Sequence, residues 1–196
     1  MDQKLGYGQV TLKITGITPL IVHSGALADP LNKFAKAMKA VSGKRKKTDA
    51  DLEELARLEF LGSLYLRDGK PCMPSECLEA VLNAGAKKIK MGTTCKAGIF
   101  IDESPFIEYD GPTNPDEMWK SDQFRLTAGV KLNGKTRVMR TRPKFTDWVI
   151  TFSTKYLTDL LNKTDVIEFA RIAGIQCGLC DWRPKFGRFV VEEVTS

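Results

Sequence analysis

Gly69-Lys70-Pro71-Cys72-Met73-Pro74-Ser75-Glu76-Cys77-Leu78-Glu79-Ala80-Val81-Leu82 passes from a sheet return into a helix. Upstream, Leu64-Tyr65-Leu66 and Pro71-Cys72-Met73 flank Arg67-Asp68-Gly69-Lys70, and Asp-Gly is a favoured pair for the left-handed positions of a two-residue hairpin turn. Downstream, Pro74-Ser75 opens a helix whose buried face carries Leu78, Val81, Leu82 and Ile89. A hairpin that runs straight into an amphipathic helix implies sheet and helix packed in layers.

The flanking sequence extends this pattern. Val10, Leu12 and Ile14 alternate with Thr11, Lys13 and Thr15, the period of a half-buried strand. That strand runs on through Gly16 toward Gly25, with Pro19 marking an edge or a bulge. Asp29-Pro30 reads as a helix start with Pro in the first turn, followed by a stripe of Leu31, Phe34, Ala35, Met38 and Val41. Thr48 and Asp51 stand at capping-box spacing and predict a second helix from about Asp49 to Leu61. Past the third helix, Gly98 to Tyr109 is strand-like with a break at Ser104-Pro105. Asp110 to Glu117 is a loop by composition, and Gln123 to Arg137 has no clear period and reads as a mobile excursion. Trp148, Ile150 and Phe152 alternate as a strand. Thr164 caps a fourth helix bearing Val166, Phe169, Ala170 and Ala173, and Phe189-Val190-Val191 is a last strand. The order predicts one α+β domain over residues 1–196, with an antiparallel sheet, helices on one face, and a protruding excursion at about 111–136. It suits a ferredoxin-like (RRM-like) core with insertions.

Composition narrows the function. The chain has 196 residues, 42% hydrophobic and 28% charged, which is ordinary for a folded protein and argues against wholesale disorder. The formal charge of +6 permits a polyanionic partner without requiring one. No apolar run approaches a membrane span, and the start has no basic segment followed by an apolar one. Five cysteines, an odd number at irregular spacing, read as reduced thiols of a cytoplasmic protein. There is one histidine, so any His-dependent catalysis falls on His23. Neither a phosphate-binding P-loop nor a dinucleotide fingerprint is present, and no cofactor is expected.

Residues 174–189 hold three glycines, three cations and three aromatics. Glycines let backbone N–H groups approach phosphate, cations neutralise it, and aromatic rings stack on unpaired bases. The same residues also fit a plain turn with Trp182 in the core and solvated charges. Arg137, Arg140, Arg142 and Lys144 put four cations in eight residues, and on an extended strand Arg140, Arg142 and Lys144 share one face. That suits a phosphate track or a charged strand edge that resists aggregation. Lys44 and Arg45 belong to a basic loop that is either solvated or in non-specific phosphate contact. Cys177 and Cys180 have zinc-knuckle spacing, but a closed site needs two more ligands and small buried thiols explain them as well. Asp29 is accounted for as a helix cap and His23 as a packed strand residue.

Three segments together resemble the RAMP superfamily, ferredoxin-like proteins that include CRISPR effector backbone subunits and crRNA-processing nucleases. They are Pro19-Leu20-Ile21-Val22-His23-Ser24-Gly25, the stretch from Gly69 to Leu82, and the loop ending in Phe186-Gly187-Arg188-Phe189. Glu76 and Cys77 depart from the family's small polar pair, and Trp182-Arg183-Pro184-Lys185 from its denser glycine. A divergent, phage-encoded relative fits these departures. The resemblance implies Arg183, Lys185 and Arg188 as phosphate ligands and Trp182 and Phe186 as stacking or wedge residues. It implies a non-catalytic scaffold for single-stranded RNA or DNA, RNA favoured, that self-associates or joins a ribonucleoprotein complex. Two alternatives stand beside it: an RNA endonuclease using His23 or Asp29, and an interaction module docking on a host ribonucleoprotein complex.

Overall fold

The computed structural model describes residues 6–132 and 136–195. In chain order the elements are β1 (Tyr7–Gly16), β2 (Leu20–Ile21), a 3-10 turn (Gly25–Ala28), α1 (Lys33–Ser42), α2 (Asp49–Ser63), β3 (Leu66–Arg67), β4 (Lys70–Pro71), α3 (Ser75–Lys88), α4 (Gly92–Gly98) and β5 (Ile99–Phe100). Then follow α5 (Pro115–Trp119), a second 3-10 turn (Asp122–Phe124), β6 (Arg125–Leu132), β7 (Thr136–Phe145), β8 (Val149–Leu157), α6 (Lys163–Ile172), a π-helical turn (Ala173–Cys177) and β9 (Phe189–Glu193). They sort into two compact units. One comprises the chain up to Leu20, Pro71–Asp110 and the chain from Thr146 onward; the other comprises Ile21–Lys70 and Gly111–Phe145.

The first unit is ferredoxin-like. Its sheet has the order β5-β8-β1-β9, all antiparallel. Reading β1, α3, β5, β8, α6, β9 along the chain gives βαββαβ with the first and third strands central. The alternation of β1 explains why one face takes the helices. Val10, Leu12 and Ile14 are 4, 0 and 1% exposed, and Leu12 and Ile14 stand opposite Phe152 and Ile150 on β8. Fully burying one such side chain stabilises by about 1.5–3 kcal/mol. α3 and α6 add Leu78, Val81, Leu82, Val166, Phe169 and Ala170 to this core. They meet at Gly85, where a Cβ would collide with the Phe169 carbonyl oxygen.

The second unit is built from the two excursions that interrupt this order. β7 runs antiparallel to β6 in a ladder from Arg125–Pro143 to Lys131–Arg137, with β2 on its other side. α1 packs on α2 and has no fully buried residue; Leu31 of its expected stripe is 73% exposed. α2 is buried only over its last turn, Leu58–Ser63. Phe60 meets Trp119 of α5 at 5.5 Å between ring centroids, and Arg57 Nη2 reaches Asp116 at 2.7 Å.

Several expectations are corrected. The helix expected at Asp29-Pro30 starts at Lys33, because Asn32 Oδ1 accepts from the Phe34 and Ala35 N–H groups while Asp29 turns to the Leu31 N–H. α6 is capped by Asn162 in a box with Asp165, and Thr164 lies inside its first turn. Residues 123–132 are a 3-10 turn and a strand, not an unstructured excursion. The strand-like run from Gly98 shrinks to Ile99–Phe100, with lone bridges at Phe106 and Glu108 beyond Ser104-Pro105. Ile89 is 42% exposed. The Thr48–Asp51 box and the Asp68-Gly69 turn, at φ 52° and 74°, match the sequence reading.

Gly85→Val forces α3 away from α6 and should lower stability by roughly 1–3 kcal/mol or more. Urea unfolding should show a lower midpoint at unchanged m-value, and an unshifted midpoint would contradict the close approach.

Candidate nucleic-acid interface

In the first unit, the loop from Gly178 to Arg188 is held from both ends. The Gly178 N–H donates to the Ala173 carbonyl at 2.9 Å and the Leu179 N–H to the Gly187 carbonyl at 2.8 Å. The Gly187 N–H donates to the Pro19 carbonyl and the Arg188 N–H to Thr18 Oγ1, both at 2.9 Å. Gly187 has φ 72°, and a Cβ there would strike the Leu179 carbonyl oxygen. Cys180 and Trp182 also adopt positive φ, 62° and 54°, which costs a non-glycine residue about 1–2 kcal/mol. Leu179, fully buried, anchors the turn.

The loop presents a compact set of groups. Arg183, Pro184 and Lys185 are exposed, and Trp182, Phe186 and Arg188 are half-buried. The Trp182 and Phe186 rings lie 6.2 Å apart, Lys185 Nζ sits 5.4 Å over the Phe186 ring, and Arg188 Nε donates to the Pro184 carbonyl at 2.8 Å. Trp182 is therefore not the core residue that the plain-turn reading offers. Cys180 lies against Met73 Sδ at 3.5 Å, and a hydrogen bond with Cys77 together with burial pushes its thiol well above the ordinary range. Among the described residues no three His, Cys, Asp or Glu side chains converge as a metal site.

In the second unit, the basic strand is organised by a residue that the sequence reading passed over. Glu59, 5% exposed on the last turn of α2, accepts from Arg142 Nη1 at 2.6 Å and Arg140 Nη1 at 3.2 Å through Oε1. Its Oε2 accepts from the Thr141 N–H at 2.9 Å. Arg140 and Arg142 do share one face, as strand geometry requires, but that face is turned to α2. The Arg142 side chain is only 8% exposed, with its guanidinium on Glu59, and Arg140 is 33% exposed. Lys144 is half-buried. Arg137 is exposed and stands opposite Lys131 of β6, beside Met139 at 65% exposure. Arg125 lies over the Trp119 ring and pairs with Asp122.

Arg45 is exposed, whereas Lys44 Nζ holds Asp51 Oδ1 at 2.5 Å. That hydrogen bond, with the Thr48 N–H, lowers the Asp51 carboxyl to about 2. His23 is exposed, and its carbonyl accepts from the Tyr65 hydroxyl at 2.9 Å. It lines a groove of about 390 Å³ with Arg140, Arg142 and Glu59. Asp29 is not among the residues of that groove. No helix among the described residues is long and apolar enough to cross a membrane.

No family model matches the chain, and no curated protein matches it. The chain is similar to solved structures, among them the crystal structure of Cmr6 from Pyrococcus furiosus, 10% identical over 95% of this chain and 99% of that chain, with a TM-score of 0.41.

Two outcomes follow from these contacts. Glu59→Ala leaves the buried Arg142 uncompensated and should cost about 3–5 kcal/mol in urea unfolding; a loss below 1 kcal/mol would refute the central place given to Glu59. Asp51 has a depressed folded pKa, so its contribution is complete above the unfolded value near 4 and is lost as pH falls toward 2. Acid titration of stability should show this loss in the wild type, and Asp51→Asn should abolish it.

Proposed function

We propose that the chain is a RAMP-like domain that binds single-stranded nucleic acid, RNA in preference, as a non-catalytic scaffold subunit of a ribonucleoprotein assembly. The observation that carries this reading is the loop from Gly178 to Arg188. Its backbone is fixed by hydrogen bonds at both ends, and it still spends two non-glycine residues in the left-handed region. The groups so presented are Trp182, Arg183, Lys185 and Phe186, with Arg188 behind them. Exposed cations beside aromatic faces suit a flexible polyanion whose bases are unpaired.

In the second unit the proposal takes in Arg137, Arg140 and Lys131, together with Lys44 and Arg45 of the basic loop. Lys144 is a partial contributor. Arg142 serves instead to hold Glu59. Self-association along a strand belongs to this proposal, as does a cytoplasmic setting.

The test is fluorescence anisotropy of a labelled 30-nucleotide RNA and the matching single-stranded DNA across a salt series. Affinity should fall log-linearly with salt. Changing Arg183, Lys185 and Arg188 together to Glu should weaken binding and reduce the magnitude of the slope by about 2, since each phosphate contact on a single strand contributes ~0.7. Absence of binding at low salt would end the nucleic-acid reading in favour of protein docking. RNA cut by the wild type and spared by His23→Ala would replace the scaffold with an endonuclease.

A further inference from the structure

The groove in the second unit differs in character from the basic loop. Its lining joins apolar Leu27, Ala28, Ala35 and Met38 to the Arg140–Glu59–Arg142 cluster, with His23 among them. At about 390 Å³ it falls within the ~300–1,000 Å³ range of small-ligand sites.

Charge decides what such a groove accepts. Two guanidiniums share one buried carboxylate, so the cluster retains one net positive charge. Glu59 fixes both arginines, while Arg140 stays one-third exposed and directs one of its five N–H donors at the carboxylate. An arginine held by a buried partner loses less side-chain freedom on binding, and its fork matches phosphate geometry. An apolar lining that also holds a fixed cation suits a flat, weakly polar body that bears an anionic group.

We propose that this groove binds one nucleotide, with the phosphate on Arg140 and the base against Leu27, Ala35 and Met38. The nucleotide has two sources, a free nucleoside 5′-monophosphate or one residue of a bound strand. Only the strand-borne source rests on the function proposed above.

The test uses the full chain with 5′-AMP, adenosine and inorganic phosphate in equilibrium dialysis, and the 30-nucleotide RNA in anisotropy. Ala35→Trp fills the groove without removing a cation, and Arg140→Gln keeps an amide donor for Glu59. Thermal melting checks that each variant folds, and if one fails the other carries the result. A free-nucleotide site binds AMP at one per chain, binds adenosine and phosphate at least tenfold more weakly, and loses AMP at least tenfold in either variant. A strand-borne site shows in RNA instead: Ala35→Trp weakens RNA several-fold at unchanged salt slope, and Arg140→Gln reduces the magnitude of the slope by about 0.7. The proposal is overturned if AMP binding is absent or indifferent to both variants while RNA affinity is also indifferent to them. RNA binding by the wild type in that case leaves the strand-binding function standing. AMP binding without RNA binding removes that function and keeps the groove.

Discussion

The central position of β1 governs the first unit. β1 is paired on one side by β8 and on the other by β9, so Leu12 faces both Phe152 and Glu193. Both partners lie more than 130 residues further along the chain. Closing so long a loop costs entropy, but the cost rises only logarithmically, by about 0.6 kcal/mol per doubling of length. Long excursions between β1 and α3, and between β5 and β8, are therefore tolerable as long as each finds its own burial. Neither does so by itself. α1 has no fully buried residue, and α2 is buried only in its last turn. Glu59, contributed by the first excursion, takes Arg140, Arg142 and the Thr141 N–H of the second. A buried carboxylate is tolerable only with charge-assisted partners, and here those partners join the two excursions into one unit.

What could be read from the sequence was local. The alternation of Val10, Leu12 and Ile14 identifies a strand and its buried face, because side-chain direction has a period of two. The Thr48–Asp51 box and the Asp68-Gly69 turn are decided by hydrogen bonds and dihedral angles spanning a few residues. Asp29 was read as the helix start, whereas Asn32 holds that place. Each accepts a hydrogen bond from a backbone N–H two residues ahead, and the helix goes to the one that also reaches the third. β6 was missed because Arg125-Leu126-Thr127-Ala128-Gly129-Val130-Lys131-Leu132 lacks a strict alternation; its register comes from β7, not from its own pattern. The candidate site divides the same way. The composition of the loop before β9 marked it for attention. Glu59 gave no sign, since a glutamate on a helix with several other acidic residues looks like a solvated one.

The ferredoxin-like sheet and the loop that leads into its last strand differ in character. The middle of its uncovered face carries Thr11, Ser153 and Gln9, joined through the Ser153 hydroxyl at 2.7 and 3.0 Å. Glu108 accepts from the Thr151 hydroxyl, and Asp102 holds Lys155 at 2.5 Å. These hydroxyls satisfy one another, and they share the face with Lys13 and with Tyr7, whose ring stands edge-on to Phe100. The loop from Gly178 to Arg188 gathers three cations within six residues, Arg183 to Arg188. Its cations are exposed, its aromatic pair is half-exposed, and its strained backbone is held in place by the β1–β2 connection at Thr18 and Pro19. Within the first unit, the proposed strand-binding chemistry rests on the loop that leads into the last strand, whose backbone the β1–β2 connection holds at Thr18 and Pro19.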